Sequence, residues 1–361
     1  MSRVARVVGM WGTLSTWVLM GGALVGCTSK SDVAGTGQKS GRVVNLAIWS
    51  NYLSPEIQAD FEKRTGIKVQ VANYSSNEEL LAKLQAGAAG YDVIVPSDYM
   101  VDAMVKQNLL KKLDRSQLPN VKRLDPRLLK KHFDPDNQYS VPYDWGSTGI
   151  AVNKTLYSGK ITGWKDVFGN AALKGKVTLL DDVREGIGAA LKSLGLSMNT
   201  RNPADLARAK ALLIKAKPSI KAFSSETKMA LVQGEVSVAH AYVSDALQAR
   251  HDTGGKIDYV IPEEGATLWI DSVAIPASAP HPQEALELIN SLIDVKTGLT
   301  LATGLFLSPV NLDVVPQLPK ELQDDPALFP ADAVRAKLET LEDLGDDLKA
   351  WDRVWTEVKT Q

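Results

Sequence analysis

Two spacings of apolar residues alternate along the first part of the chain, one of two residues and one of three to four, and they predict strands interleaved with helices. Residues 43–48 form a β-rich apolar run. Ser54-Pro55 then marks a helix start with proline in the first turn, and Gly66 stops that helix. Residues 67–72 alternate as a second strand. Ser76-Asn77-Glu78-Glu79 has the spacing of a capping box ahead of Leu80, Leu81 and Leu84, and residues 91–95 read as a third strand. The product is a β-α-β-α-β unit. In open sheets of this kind ligands sit outside the carboxyl ends of the strands. Trp49-Ser50-Asn51-Tyr52 follows the first strand and Ser97-Asp98-Tyr99 the third, so both aromatic segments are predicted on one edge. Asp98 reads as a helix cap directed away from it.

The middle of the chain repeats the arrangement. Residues 177–180 form a short apolar strand that runs into Asp181, Asp182 and Glu185. Ile187, Ala190, Leu191, Leu194 and Leu196 then mark an amphipathic helix. Asp182 and Glu185 are three apart and can face the same side of its first turn. Residues 236–241 make another buried strand that delivers Tyr242, followed by strands at 257–261 and 270–275. The two-residue period of the last strand puts Trp269 and Asp271 on one face. Strands and helices alternating throughout predict an α/β fold.

The amino terminus changes the expected compartment. Arg3 and Arg6 precede an apolar stretch from Trp11 to Leu24, closed by Leu24-Val25-Gly26-Cys27. This reads as a lipoprotein signal over residues 1–26, short for a spanning helix, with Cys27 as the lipid carrier. Cys27 is the only cysteine, which excludes disulfides and CxxC chemistry. Residues 27–41, rich in Ser, Gly, Thr, Lys and Asp, read as a flexible tether. Lysine and arginine number 41 against 42 acids, so there is no electrostatic footprint for nucleic acid.

The candidate site residues share one chemistry: aromatic rings beside acidic or hydrogen-bonding groups. Ring faces attract ammonium groups and pack on methylenes, while carboxylates neutralise the charge. Trp49, Tyr52, Tyr99, Tyr242 and Trp269 supply rings, Asp182, Glu185 and Asp271 acids, and Ser50, Asn51 and Ser97 hydrogen bonds. Each alone has a plainer reading: a strand-end ring is commonly half-buried packing, Asp182 a helix cap partnered by Arg184, Glu185 a solvated first-turn acid. Asp271 resists that treatment, because a carboxylate inside Leu268-Trp269-Ile270-Asp271-Ser272-Val273 is costly to bury unpaired.

The motifs Trp49-Ser50-Asn51-Tyr52, Val93-Ile94-Val95-Pro96-Ser97, residues 133–146, Leu180-Asp181-Asp182-Val183-Arg184-Glu185 and Trp269-Ile270-Asp271-Ser272 together resemble the periplasmic spermidine/putrescine-binding proteins of ABC importers. The resemblance runs in order from about Val44 to a last helix at residues 351–358. It implies a two-lobe periplasmic-binding-protein fold of type II with the ligand in the interlobe cleft. Lobe 1 would comprise residues 42–148 plus 270–315, and lobe 2 residues 149–269 plus 316–361. It further implies a polyamine ligand, an inner-membrane ABC permease as partner, a monomeric protein on the periplasmic side of the envelope, and no cofactor or metal. Trp49, Ser50, Asn51, Tyr52, Ser97, Tyr99, Asp182, Glu185, Tyr242, Trp269 and Asp271 carry over as the ligand box. Tyr242 stands where the family usually has tryptophan. Asn51 takes an often acidic position, Leu307 that of a common cleft tyrosine beside Phe306, and Leu341 that of an expected glutamine.

Two other classes compete. Paired carboxylates with aromatics also describe a glycoside hydrolase cleft, with Asp182 or Glu185 opposing Asp271. A ligand sensor would use the same lobes to signal instead of to deliver. His132, His240, His251 and His281 make no HExxH spacing, and there is no GxSxG elbow or GxxxxGK loop.

Overall fold

The computed structural model describes residues 41–50, 52–87 and 90–361. The signal segment, Cys27, most of the tether and Asn51 lie outside the described residues. The strands are β1 (Val43–Trp49), β2 (Lys68–Tyr74), β3 (Val93–Ile94), β4 (Ser140–Asn153), β5 (Val177–Leu179), β6 (Ile220–Phe223), β7 (Val238–Tyr242), β8 (Ile257–Val260) and β9 (Leu268–Ala274). They form one nine-stranded sheet in the order β2-β1-β3-β9-β4-β7-β5-β6, with β8 also on β4. β1 runs parallel to β2 and β3, while β9 runs antiparallel to β3 and β4.

The long strand β4 organises the molecule. Its residues from Ser140 to Ser147 pair with β9, and those from Thr148 to Val152 pair with β7. The partner change falls at Ser147-Thr148, within a strand that is buried throughout. Two large cores lie on either side. One gathers Leu46, Phe61, Ile94, Met104, Tyr143, Ile270 and Ile289; the other gathers Ile150, Trp164, Leu179, Leu191, Leu213, Trp351 and Val358. Trp164 and Trp351 are almost wholly buried, and each such large side chain contributes on the order of 2–3 kcal/mol by leaving water. These are the two lobes of the fold.

Local signals set the helix ends. In α1 (Pro55–Thr65) the Ser54 hydroxyl accepts from Ile57 N–H at 3.3 Å, and Gly66, at φ +71°, donates to the Glu62 carbonyl at 2.9 Å. In α2 (Asn77–Gln85) Ser76 accepts from Glu79 N–H, but Glu79 reaches back to Ser75 rather than to Ser76. The capping box predicted there is therefore half formed. The third strand is shorter than its apolar run. Beyond Ile94 the Val95 carbonyl accepts from the Trp49 indole at 2.8 Å and the Tyr74 hydroxyl at 2.5 Å, and Pro96 has no N–H to pair. In α4 (Val183–Ser193) the helix stops at Leu194, leaving Leu196 outside, because Gly195 at φ +71° turns the chain.

Candidate ligand-binding cleft

The β1–α1 connection and the start of α3 (Asp98–Lys106) deliver the lobe 1 residues to one sheet edge, as the topology predicts. Trp49 is half-buried, with its indole N–H on Val95 and its ring tilted on Tyr74 at 4.6 Å; Ser50 is exposed. Ser97 is clamped by Asn77, whose Oδ1 accepts from Ser97 N–H and whose amide donates to Ser97 Oγ, both at 3.1 Å. The Tyr99 hydroxyl accepts from the Asn77 amide at 3.0 Å and donates to Glu78 at 3.1 Å.

The facing residues come from lobe 2 and the crossing strands. Asp182 caps α4, accepting from Arg184 N–H at 2.8 Å and Glu185 N–H at 2.9 Å. Tyr242 ends β7 with its ring edge-on to Trp269 at 6.4 Å. Trp269 in turn lies over Gly146 of β4. A Cβ at Gly146 would collide with the indole and stand 2.8 Å from Val243 Cγ1, so the ring depends on glycine there. Ser97 bridges Asp271 backbone to backbone across the lobe edge, and the Arg184 guanidinium stands 5.9 Å from the Tyr99 ring.

Acids dominate the electrostatics. Asp271 is buried, its Oδ1 has no hydrogen-bond partner, and burial pushes its carboxyl up to about 6 against the opposing hydroxyls of Ser97 and Tyr52. Burial likewise raises Asp182 above the usual carboxylate range, partly offset by its two backbone amides. Glu185 is pushed up to about 8 by burial and then by the charge of Asp182. Its oxygens accept from Thr148 of β4 at 2.9 Å and from Thr267, just before β9, at 2.7 Å. Glu185 is therefore a buried tie between the two crossing strands, not a solvated first-turn acid. His240 Nε2 lies 3.8 Å away, with burial lowering the imidazole to about 3, so these two face each other as neutral groups at neutral pH.

Tyr52, Ser97, Tyr99, Asp182, Glu185, Tyr242, Trp269 and Asp271 are thus brought to one region. Arg184 is not the partner of Asp182 suggested by the plain reading: it donates to the carbonyls of Glu342 and Met198 and to Asn199 Oδ1, and stacks 4.9 Å from Trp351. The Phe306 ring packs on His251 at 5.7 Å and against the cluster that holds Trp269, while Leu307 is buried in the lobe 1 core. Asp98 overturns its expected role. Ser97, not Asp98, is the cap residue of α3, and Asp98 is buried beside the Asp271 charge with Oδ2 unpartnered, which burial holds well above the carboxylate range. Asp144 is a second acid that pattern reading passes over. Its local signal is the one that marks Asp271, an acid between apolar residues and beside aromatic rings in Val141-Pro142-Tyr143-Asp144-Trp145. A groove of about 580 Å³ between Arg115, Lys122, Arg123 and Leu312 contains none of these residues, so charge and aromatic content, not volume, mark the site.

The family model described as bacterial extracellular solute-binding protein matches residues 56–331. A spermidine/putrescine-binding periplasmic protein of Escherichia coli K12 is 40% identical over 285 residues, covering 78% of this chain and 81% of its own. Spermidine/putrescine-binding periplasmic protein 1 of Haemophilus influenzae is 36% identical over 337 residues, 92% of each chain. The crystal structure of the Tp0655 (TpPotD) lipoprotein of Treponema pallidum superposes with a TM-score of 0.80 at 29% identity, covering 88% of this chain and 99% of that one. With the family model matching residues 56–331 and the Escherichia coli and Haemophilus influenzae relatives covering 78% and 92% of this chain, the chain belongs to the bacterial extracellular solute-binding proteins.

Proposed function

We propose that this chain captures a polyamine, spermidine or putrescine, between its lobes and presents the closed form to an inner-membrane ABC permease. The observation that carries this reading is Asp271: a buried carboxylate with an unpartnered oxygen inside an apolar strand, faced by the Tyr52 hydroxyl, with Trp269 two residues before it on the same strand and Tyr242 edge-on to that indole. An organic cation satisfies both features at once, its ammonium meeting the acid and its methylenes the rings. Asp182 and Asp271 act in ammonium recognition, with Glu185 behind them as the acid held by Thr148 and Thr267; Trp49, Tyr52, Tyr99, Tyr242 and Trp269 act in ring contacts, and Ser97, Ser50 and Asn51 in hydrogen bonding. The names of the relatives support the ligand class. The cores on either side of the partner change in β4 support lobes at 42–148 plus 270–315 and 149–269 plus 316–361. No chemistry is done on the ligand, and the protein works as a monomer.

Titration calorimetry with putrescine, spermidine, spermine and a neutral sugar tests the reading, with small-angle scattering of the same samples. The expected result is saturable binding of polyamines only, with a smaller radius of gyration on binding, because the ligand favours the closed state by touching both lobes. Binding of the sugar alone, or of nothing, sinks it.

The same reading places the protein on the periplasmic side of a bacterial envelope, held by lipid on Cys27. Cys27→Ala is expected to abolish lipidation and the lipid-directed cleavage, so that the variant keeps its signal segment, with detergent phase partitioning as the readout for the parent's lipid. Partitioning of both forms alike into the aqueous phase removes the lipid anchor from the account.

A further inference from the structure

The register of β4 against β9 contains one irregularity, and it lies at the cleft. Pro142 pairs with Ser272, but Asp144, not Tyr143, pairs with Asp271. Tyr143 is the extra residue of a β-bulge. Bulges re-aim the side chains that follow them, because the two-residue alternation of faces is shifted by one. Here the shift sets Asp144 directly opposite Asp271. Residues opposed in an antiparallel pair leave the same face with Cβ atoms about 4.5–5.5 Å apart, and like charges in that arrangement repel. The bulged residue is itself tied down, its hydroxyl donating to the Tyr52 carbonyl in the β1–α1 connection.

Asp144 is 0% exposed, and its carboxylate oxygens have no side-chain partner; only the backbone amides of Trp145 and Ser308 turn toward them, outside good hydrogen-bond geometry. Across the strand, Asp271 Oδ1 has no hydrogen-bond partner either. Two carboxyl groups side by side, with unsatisfied oxygens in an apolar wall, call for a cationic multiple donor. We propose that Asp144 and Asp271 together seat one ammonium group of the ligand, with Asp144 setting how tightly that end is held. This rests on the polyamine reading and deepens it. A primary ammonium offers three N–H donors, enough to span both carboxylates.

Among the described residues no cation acts on Asp144 or Asp271. Tyr52 faces both acids from the β1–α1 connection. Ser97 and Asp98 approach Asp271 from the start of α3, and the backbone amides of Trp145 and Ser308 point at Asp144. Tyr143 feels Asp144 from its own strand. Arg184 acts on Asp98 but is committed to Glu342, Met198 and Asn199. Burial and then the neighbouring Asp271 hold Asp144 well above the carboxylate range, and two acids set directly opposite each other favour the state in which the pair shares a proton. Binding therefore exchanges cations: the ammonium enters charged, the carboxylic acid ionises, and one proton leaves to solvent.

Calorimetry of spermidine binding at pH 7, in two buffers of different ionisation enthalpy, reads that proton directly. The unaltered protein is expected to release close to one proton per ligand. Asp144→Asn is expected to bind at least tenfold more weakly, to release much less, and to melt no lower than the parent without ligand, since an unpaired buried acid has been removed. Unchanged affinity and proton release in Asp144→Asn overturn the proposal, as does a lower melting temperature with unchanged affinity, which would make Asp144 structural. Should the variant not fold, spermidine binding by the unaltered protein without proton release overturns it equally. A parent that binds no polyamine removes both this proposal and the function it rests on, whereas a failure confined to Asp144 leaves that function standing.

Discussion

Asp271→Asn is expected to weaken spermidine binding by one to four orders of magnitude while making the ligand-free protein more stable at pH 8. Truncating one partner of a buried charge pair commonly costs about 2–5 kcal/mol, much of it from leaving the other charge unpaired. The gain in the free protein follows from linkage. Burial pushes the Asp271 carboxyl up to about 6 in the fold, from the ordinary aspartate value of 3.8. Because the folded state keeps its proton longer, stability is lost as pH rises from about 4 through 6, to a total of about 3 kcal/mol. Asparagine has no charge to develop and escapes that loss. Thermal melts across pH 4–8 and calorimetry at pH 7 measure the two halves. A variant that binds like the parent, or that is less stable at pH 8, would show that Asp271 is satisfied within the fold and meets no ammonium.

Glu185→Gln is expected to flatten the decline in stability on the alkaline side of neutrality. Glu185 is raised from 4.5 to about 8, so its contribution falls as pH rises through that window, by on the order of 5 kcal/mol when complete. His240 works in the opposite direction. Lowered to about 3, it stays neutral in the fold, and stability is lost as pH falls below the ordinary imidazole value of 6.5. Between pH 4.5 and 6.5 the two slopes oppose; between 6.5 and 8 Glu185 acts alone. Glutamine keeps the hydrogen-bonding shape toward Thr148 and Thr267, so denaturant midpoints of variant and parent should converge near pH 4.5 and separate by pH 8. Parallel curves over the whole range would mean that Glu185 ionises freely and does not act as a buried tie between the crossing strands.

The identity of this fold was written locally. Ser54-Pro55 and Gly66 bound α1 because a cap hydroxyl, a proline without N–H and a residue tolerant of positive φ are needed at those points and few others. Alternation of apolar residues placed β1, β7 and β9, and their order in the β-α-β-α-β unit put Trp49 through Tyr52 and Ser97 through Tyr99 on one edge. Asp271 was conspicuous for the same local reason, an acid in an apolar strand. What surrounds each acid was decided only in three dimensions. Asp98 looks like a cap in sequence, yet it is buried beside Asp271 because β9 passes the start of α3. Glu185 meets Thr148 and Thr267 because two strands cross between lobes at that level. Asp144 faces Asp271 because a single bulge at Tyr143 shifts the phase of β4. Periodicity fixes which face a residue takes along its own strand, but desolvation and neighbouring charge depend on segments far apart in the chain, and those set what each carboxylate can bind.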